Sequence, residues 1–123
     1  MKIQKEDKLI IDILFKSGLN NKLLFNQVDY SILTKKLSEH LIIPAFYYNL
    51  KKKNYLKYFD PDFTNYLSQI YSLNKTRNRK IIKEISKISL ILESKHIEYI
   101  FIKGASNFIA ELYSDIGERM ITD

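Results

Sequence analysis

The sequence predicts a mainly α-helical region that leads into the first strand, helix and strand of an α/β domain. Glycine and proline occur only three and two times in 123 residues, so few positions break a helix. Apolar residues recur at helical spacing up to about residue 95. From residue 97 the pattern changes to a β-branched and aromatic run, which is typical of a buried strand.

The first predicted helix covers about residues 4–16, because its apolar residues repeat at intervals of three and four. Gly18 follows it and is suited to the left-handed conformation that ends many helices. The second helix is expected to begin after Asp29, whose carboxylate can cap the first turn. The faces expected to be buried contain Leu9, Ile10, Ile13 and Leu14 in the first helix, and Ile32, Leu33 and Leu37 in the second.

The third and fourth helices are predicted to begin at prolines. Pro44 fits a first turn, where its missing N–H removes no helical hydrogen bond. Asp60 precedes the other proline and is the expected cap of the fourth helix. If this helix is unbroken over residues 61–94, it is about 50 Å long. Asn74 and Arg77 fall on its apolar stripe, where we expect a bend.

The composition argues against several classes of protein. Hydrophobic residues make up 46% of the chain, which is too many for a disordered tail. Charged residues make up 28% and the apolar runs are short, so no membrane span is expected. Cysteine is absent, which excludes a disulfide framework and a thiolate nucleophile from these residues. We therefore expect a cytoplasmic protein without a membrane partner.

Charge is unevenly distributed along the chain, whose net charge is +6. Residues 51–96 contain eleven Lys or Arg against four acids, whereas residues 97–123 contain two against five. The basic middle suits a nucleic-acid partner, because phosphates attract such clusters. Its two densest clusters contain Lys51, Lys52 and Lys53, and Lys75, Arg77, Arg79 and Lys80. The plainer interpretation is that both are solvated helix surfaces.

Lys103 and Gly104 follow the predicted strand of residues 97–102 and precede another helical pattern. Glycine lets a ligand approach the backbone closely, and the free N–H groups of a helix start attract anions. Ser106 adds a hydroxyl donor and Lys103 a positive charge, so this turn suits a phosphate group. An ordinary strand-to-helix turn is the simpler interpretation, and the spacing is not that of a P-loop.

A longer pattern runs through the last quarter of the chain. A hydrophobic strand is followed by Lys-Gly-Ala, by Leu-Tyr and then by spaced Asp, Gly, Arg and Asp residues. The residues of this pattern are Phe101, Ile102, Lys103, Gly104, Ala105, Leu112, Tyr113, Asp115, Gly117, Arg119 and Asp123. The pattern resembles the signature of the uncharacterised nucleotidyltransferase family, which belongs to the DNA polymerase β-like nucleotidyltransferase superfamily.

The helical part resembles the family more loosely. Residues 40–44 match its His-x-hydrophobic-x-Pro segment, and Asn78 lies in a stretch similar to the helix that precedes its first strand. Two departures concern the phosphate turn and its helix. Ser106 and Asn107 replace the usual small and apolar residues, and the helix before the Leu-Tyr pair is one residue longer than expected.

The resemblance implies transfer of a nucleoside monophosphate from an NTP to an acceptor hydroxyl, with Mg²⁺ as cofactor and pyrophosphate as the leaving group. It implies that Gly104, Ala105 and Ser106 hold the triphosphate. Lys103 and Arg119 are then charge partners, either for phosphate or for the acidic residues. The acceptor could be a small molecule, a protein or an RNA end.

The resemblance also implies that Asp123 is catalytic, as the first carboxylate of a D-x-D pair that binds Mg²⁺. The second carboxylate falls two positions later, outside these 123 residues. We therefore expect residues 1–95 to form a helical region and residues 96–123 the start of a truncated catalytic domain, inactive as it stands and binding Mg²⁺ poorly. Its incomplete sheet would expose a strand edge, through which self-association is expected.

Simpler interpretations of single residues stay open. Asp123 otherwise reads as a solvated terminal residue, and Arg119 could form a weak surface pair with Glu118 or Asp115. His40 and His96 fall at predicted helix ends, where capping is a commoner role than metal binding. The alternative function is therefore a non-catalytic basic helical module that binds nucleic acid or a protein.

Overall fold

A computed structural model describes residues 4–16, 25, 27–100 and 115–120. In chain order, this part contains α1 (Lys5–Phe15), α2 (Tyr30–Glu39), α3 (Ile43–Lys52), a 3-10 turn (Leu56–Tyr58) and α4 (Pro61–Ser94). The prediction of a mainly helical region with four helices is confirmed. Gly18, the expected end of the first helix, lies outside the described residues.

The helices begin where the sequence places their caps. The Asp29 carboxylate accepts a hydrogen bond from the Ile32 N–H at 3.1 Å, at the start of α2. Asp60 accepts one from the Asp62 N–H at 2.9 Å, at the start of α4. Prolines lie in the first turns of α3 and α4, as expected. These local hydrogen bonds satisfy donors that a helix start otherwise leaves unpaired.

One apolar core joins the helices, with α3 packed against α1, α2 and α4. An aromatic group that includes Phe25, Phe59 and Phe63 closes one side of this core. Ile32 is 37% exposed and lies beside the buried face of α2, not within it. Among the described residues, fully buried apolar side chains include Leu9, Ile13, Leu33, Leu37, Phe46, Leu50 and Leu67.

The fourth helix extends well past this core. α4 contains 34 residues without interruption, including Asn74 and Arg77, so its length is about 50 Å. Its buried residues begin at Phe63 and end at Asn78. Its first half is thus part of the core, and its middle contacts residues 115–120. Neither α4 nor any other helix in the described part of the chain is both long and apolar enough to cross a membrane.

Lys53 closes the C-terminal end of α1. Its Nζ donates hydrogen bonds to the carbonyl oxygens of Ile13 and Lys16. These carbonyls lie in the last turn of α1 or just beyond it, where helical partners run out. Burial, with a smaller effect from the charge of Lys52, lowers the pKa of Lys53. One member of the first basic cluster is therefore engaged in holding α1 to α3.

The expected strand, helix and strand fall mostly outside the described residues. Residues 97–100 follow α4 and form neither helix nor strand, and Ile100 is 86% exposed. A strand needs a neighbour to pair with, and residues 101–114 and 121–123 are not among those described. Three expectations therefore stay predictions: the α/β part of the fold, the domain boundary at residues 95 and 96, and the exposed strand edge.

Replacing Lys53 by methionine should lower the free energy of unfolding by about 1–2 kcal/mol, because two carbonyls lose a charged donor. Urea-induced unfolding followed by circular dichroism measures this change. Lys51→Met is the matched control on an exposed neighbour and should alter stability by less than about 0.5 kcal/mol. Equal losses in the two variants would contradict the capping role.

Candidate functional site

Residues 115–120, which we call the signature segment, dock on the middle of α4. Their sequence is Asp-Ile-Gly-Glu-Arg-Met, and they form neither helix nor strand. Their partners are side chains of α4 at helical spacing, so these side chains share one face. The four side chains are Tyr71, Asn74, Lys75 and Asn78.

Asn74 and Asn78 hold the backbone of the signature segment. Asn74 Nδ2 donates to the carbonyl oxygens of Gly117 at 2.8 Å and Arg119 at 2.9 Å. Asn78 Nδ2 donates to the carbonyl oxygens of Arg119 at 2.8 Å and Ile116. The two side chains are only 5% and 0% exposed. A flipped amide would set its oxygen against these carbonyls, so the pairing fixes the orientation of both side chains.

Asp115 ties the start of the segment to α4. Its carboxylate accepts hydrogen bonds from the Gly117 N–H at 2.7 Å, from Lys75 Nζ at 3.5 Å and from the Tyr71 hydroxyl. Burial alone would raise the pKa of Asp115, but these three donors outweigh it and the pKa lies below its ordinary value. Burial and the contact with Asp115 raise the pKa of Tyr71 far above its ordinary range, so its hydroxyl stays a donor.

Gly117 lies where a larger residue would clash with its neighbours. A Cβ atom on this residue would lie 2.7 Å from Cε2 of Tyr71 and 3.0 Å from Oδ1 of Asp115. The φ angle of Gly117 is not positive, so its backbone conformation does not itself require glycine. The glycine of the signature therefore has a steric reason: the segment backbone lies directly against the Tyr71 ring.

The signature segment also forms one wall of a cleft of about 370 Å³. The other wall is the junction of α2 and α3, where His40 is the C-cap residue of α2 and Leu41 has a φ angle of 56°. The His-x-hydrophobic-x-Pro segment (residues 40–44) and the signature segment thus face each other across the cleft. The cleft is lined by His40, Leu41, Ile42, Ala45, Glu118, Arg119 and Met120.

Of the predicted site residues, Arg119 is among those described. It belongs to the signature segment and lines the cleft. Lys103, Gly104, Ala105, Ser106 and Asp123 lie outside the described residues, so their roles stay predictions.

The histidines occupy helix ends, as the sequence indicates. His40 follows α2, and His96 follows α4 with a φ angle of 55°. In the part of the chain that the structure describes, no group of three or more His, Asp or Glu side chains could hold a metal ion. The predicted metal ligand, Asp123, is not in that part.

The second basic cluster is divided between two environments. Lys75 binds Asp115, and its Nζ lies 5.7 Å from the centroid of the Tyr71 ring. Arg77, Arg79 and Lys80 are exposed. Only part of the cluster is therefore displayed as a surface that could attract phosphates.

The sequence alone did not indicate which face of α4 contacts the signature segment. Asn74 was visible as a polar residue on an apolar stripe, and Asn78 as part of the looser family resemblance. Nothing in the local pattern connected either residue, or Tyr71, with the signature segment. The partners are about forty positions apart, and helical periodicity describes only neighbours within one element.

A family model described as "Uncharacterised nucleotidyltransferase" matches residues 26–123. The chain belongs to the uncharacterised nucleotidyltransferase family. The resemblance seen in the signature is thereby confirmed. The matched range contains both walls of the cleft, the polar face of α4 and the signature segment, so all of these are features of a family member. No curated protein and no solved structure matches the chain.

Gly117→Ala should destabilise the protein by about 1–3 kcal/mol, because the new methyl group overlaps the Tyr71 ring. Thermal and urea-induced unfolding measure the loss. In a Tyr71→Leu background the same substitution should cost clearly less, since the atoms nearest the new Cβ are gone. Losses that simply add in the double variant would contradict this steric explanation.

Docking of the signature segment should weaken in acid. Because the folded pKa of Asp115 is lowered, its carboxylate contributes stability that is present above its unfolded pKa of about 3.9 and is lost as the pH falls through the folded value. Amide hydrogen-exchange protection of residues 116–120, measured between pH 6 and pH 3, should fall accordingly.

Asp115→Asn should remove this acid dependence, because the amide does not titrate. Asp7→Asn is the matched control. The pKa of Asp7 is also lowered, chiefly by Lys36, but the pair joins α1 to α2 and lies outside the segment contacts. Protection that falls equally with pH in the Asp115→Asn variant would contradict the assignment.

Proposed function

We propose that this family member transfers a nucleoside monophosphate from an NTP to an acceptor hydroxyl and releases pyrophosphate. The match to the nucleotidyltransferase family over residues 26–123 carries the proposal. The structure adds that the segment containing Arg119, a residue of the family signature, is held against α4 by four side-chain hydrogen bonds.

The proposed roles follow the signature. Gly104, with Ala105 and Ser106, holds the triphosphate, and Lys103 adds positive charge there. Asp123 is the first metal-binding carboxylate. Its oxygen atoms suit Mg²⁺, a hard cation that prefers such ligands, and the second carboxylate of the pair is expected two positions later. Bound Mg²⁺ would neutralise phosphate charge during transfer.

The acceptor is proposed to lie in the cleft between the α2–α3 junction and the signature segment. Met120 lines this cleft and precedes Asp123 by three residues in the sequence. Apolar walls from Leu41 and Ile42 suit the carbon skeleton of an acceptor, while His40 offers a hydrogen-bonding edge. The helical region would in this way select the acceptor.

The test uses the polypeptide from the complete reading frame that encodes this chain. It is incubated with each NTP labelled at the α-phosphate, with and without Mg²⁺, and with small-molecule, protein and RNA acceptors. Label should move to one acceptor class only when Mg²⁺ is present. Asp123→Asn should lower the rate at least about 100-fold, because a metal ligand is lost.

Asp62→Asn is the matched control. It makes the same chemical change at an exposed residue about 18 Å along α4 from Asn74, and it should leave the rate within twofold. Absence of transfer with every NTP and acceptor class would contradict the proposal.

A polyanionic partner is the second candidate, favoured by the exposed Arg77, Arg79 and Lys80 on α4. Such a partner could be an RNA acceptor of the transfer reaction, or a nucleic acid bound by a non-catalytic module. A titration of the same polypeptide with RNA at two salt concentrations distinguishes both possibilities from a small-molecule acceptor. Phosphate contacts require affinity that falls steeply with salt, so an affinity that does not change would contradict them.

A further inference from the structure

We infer that residues 73–88 of α4 form a dimer interface, at which two copies of this chain pair through antiparallel helices. The inference does not depend on the proposed function. Its basis is a groove of about 470 Å³ on α4, and in the described part of the chain every residue that lines it belongs to α4. The face along this groove, which we call the exposed stripe, contains Leu73, Arg77, Lys80, Ile81, Glu84 and Ile88.

The exposed stripe presents large apolar side chains to solvent. Leu73 is 69% exposed and Ile88 is 49% exposed, and Ile91 continues the same face one turn further on. Leu73 and Ile88 are fifteen residues apart on a continuous helix, which is about 22 Å. Exposed apolar patches of this kind mark interaction sites, and a stripe along one helix suits a second helix.

The stripe is complementary to a copy of itself in the antiparallel direction. A two-fold axis that passes between residues 80 and 81 relates positions at equal distances on either side of it. Leu73 then lies opposite Ile88 of the second copy, and Arg77 lies opposite Glu84. One arrangement therefore pairs apolar with apolar side chains and opposite charges with each other.

Arg77 and Glu84 select the direction of pairing. They are seven residues apart on one face of α4, and Arg77 forms no ion pair with any described residue. Glu84 has a long surface contact with Lys87, at 3.6 Å. A parallel pair of helices would bring like charges together at both positions, which is repulsive. The antiparallel pair instead gains two contacts between arginine and glutamate.

This pairing accounts for the place of Arg77 on an apolar stripe, where α4 continues without interruption. Charged residues at such a position commonly fix the register and direction of helix pairing at some cost in stability. Lys80 lies beside its own copy near the axis, where its long side chain can extend into solvent. Arg79 is two residues from Arg77 and so projects from the opposite side of the helix.

Charge reversal tests the pairing in the 123-residue chain, with the dimer Kd measured by sedimentation equilibrium. Arg77→Glu should raise the Kd at least tenfold, because the new carboxylate faces Glu84 of the second copy. Glu84→Arg should have a similar effect for the converse reason. The variant with both substitutions should return to within threefold of the wild type. Arg79→Glu is the matched control, with the same change of net charge, and should stay within twofold.

A mixture of the two single variants gives a stricter test. Arg77→Glu offers two carboxylates and Glu84→Arg offers two guanidinium groups, so each is repelled by its own copy and attracted by the other. Mixed dimers should form at concentrations at which each variant alone is monomeric. Circular dichroism checks that both variants keep their helices, which is expected because both positions are exposed.

Introduced cysteines report the direction of the helices, because the chain has no cysteine of its own. Lys80→Cys places a thiol next to its copy and should give a disulfide-linked dimer under mild oxidation. Leu73→Cys lies about 22 Å from its copy in the antiparallel pair, whereas a disulfide needs Cα atoms about 4.4–6.8 Å apart. It should therefore not cross-link, although a parallel pair would link both variants.

Loss of dimer on each charge reversal and its recovery in the double variant support the inference. A wild type that stays monomeric up to about 1 mM overturns it, and another segment of the polypeptide or RNA would then be the partner of the stripe. An equal Kd in Arg77→Glu and Arg79→Glu also overturns it and indicates another surface, such as the predicted strand edge. Efficient cross-linking of Leu73→Cys contradicts the antiparallel direction. These measurements need no nucleotide transfer, so their failure is distinct from failure of the proposed function.

Discussion

Two side-chain amides on α4 supply hydrogen-bond donors to a stretch of backbone that has no helix or strand of its own. Asn74 and Asn78 each place one nitrogen between two carbonyl oxygens of the signature segment, inside the protein. Leaving a buried carbonyl without a donor costs about 1–3 kcal/mol, so these amides decide whether the segment can be buried at all. The packing of Gly117 on Tyr71, the Asp115 contacts and one wall of the cleft all require the docked segment.

The face of α4 that contacts the signature segment is apolar in its first part and polar in its middle. Toward its N-terminus α4 presents Phe63, Leu67 and Tyr71 to the apolar core, and beyond them it presents polar groups to the signature segment. Tyr71 belongs to both regions, because its ring packs in the interior while its hydroxyl donates to Asp115. A single continuous helix therefore connects the stability of the helical core with the position of the family's signature residues.

Local signals were sufficient to predict the helices and their starts, because caps such as Asp29 and Asp60 act on residues two or three positions away. They were insufficient for the site, because its contacts join residues about forty positions apart. Periodicity marked Asn74 as a polar residue on an apolar stripe, but it did not indicate that this residue binds the signature segment. Lys53 shows the same limit: its charge suggested a nucleic-acid contact, but its partners are the carbonyls of a distant helix end. Family resemblance supplied Gly117 as a signature residue, and only the packing explains it.

The continuity of α4 makes the number of residues between core and site as important as their identity. Each residue added to a helix turns the remainder of that helix by about 100° and moves it about 1.5 Å along the axis. A single insertion between Tyr71 and Asn74 would leave the core side chains in place and rotate both amides away from the segment. An added residue between α3 and α4 could be absorbed by the turns there. Within this family, insertions and deletions should therefore be commoner in the connection between α3 and α4 than between Tyr71 and Asn78. The number of residues in that second interval sets the direction of both amides relative to the core.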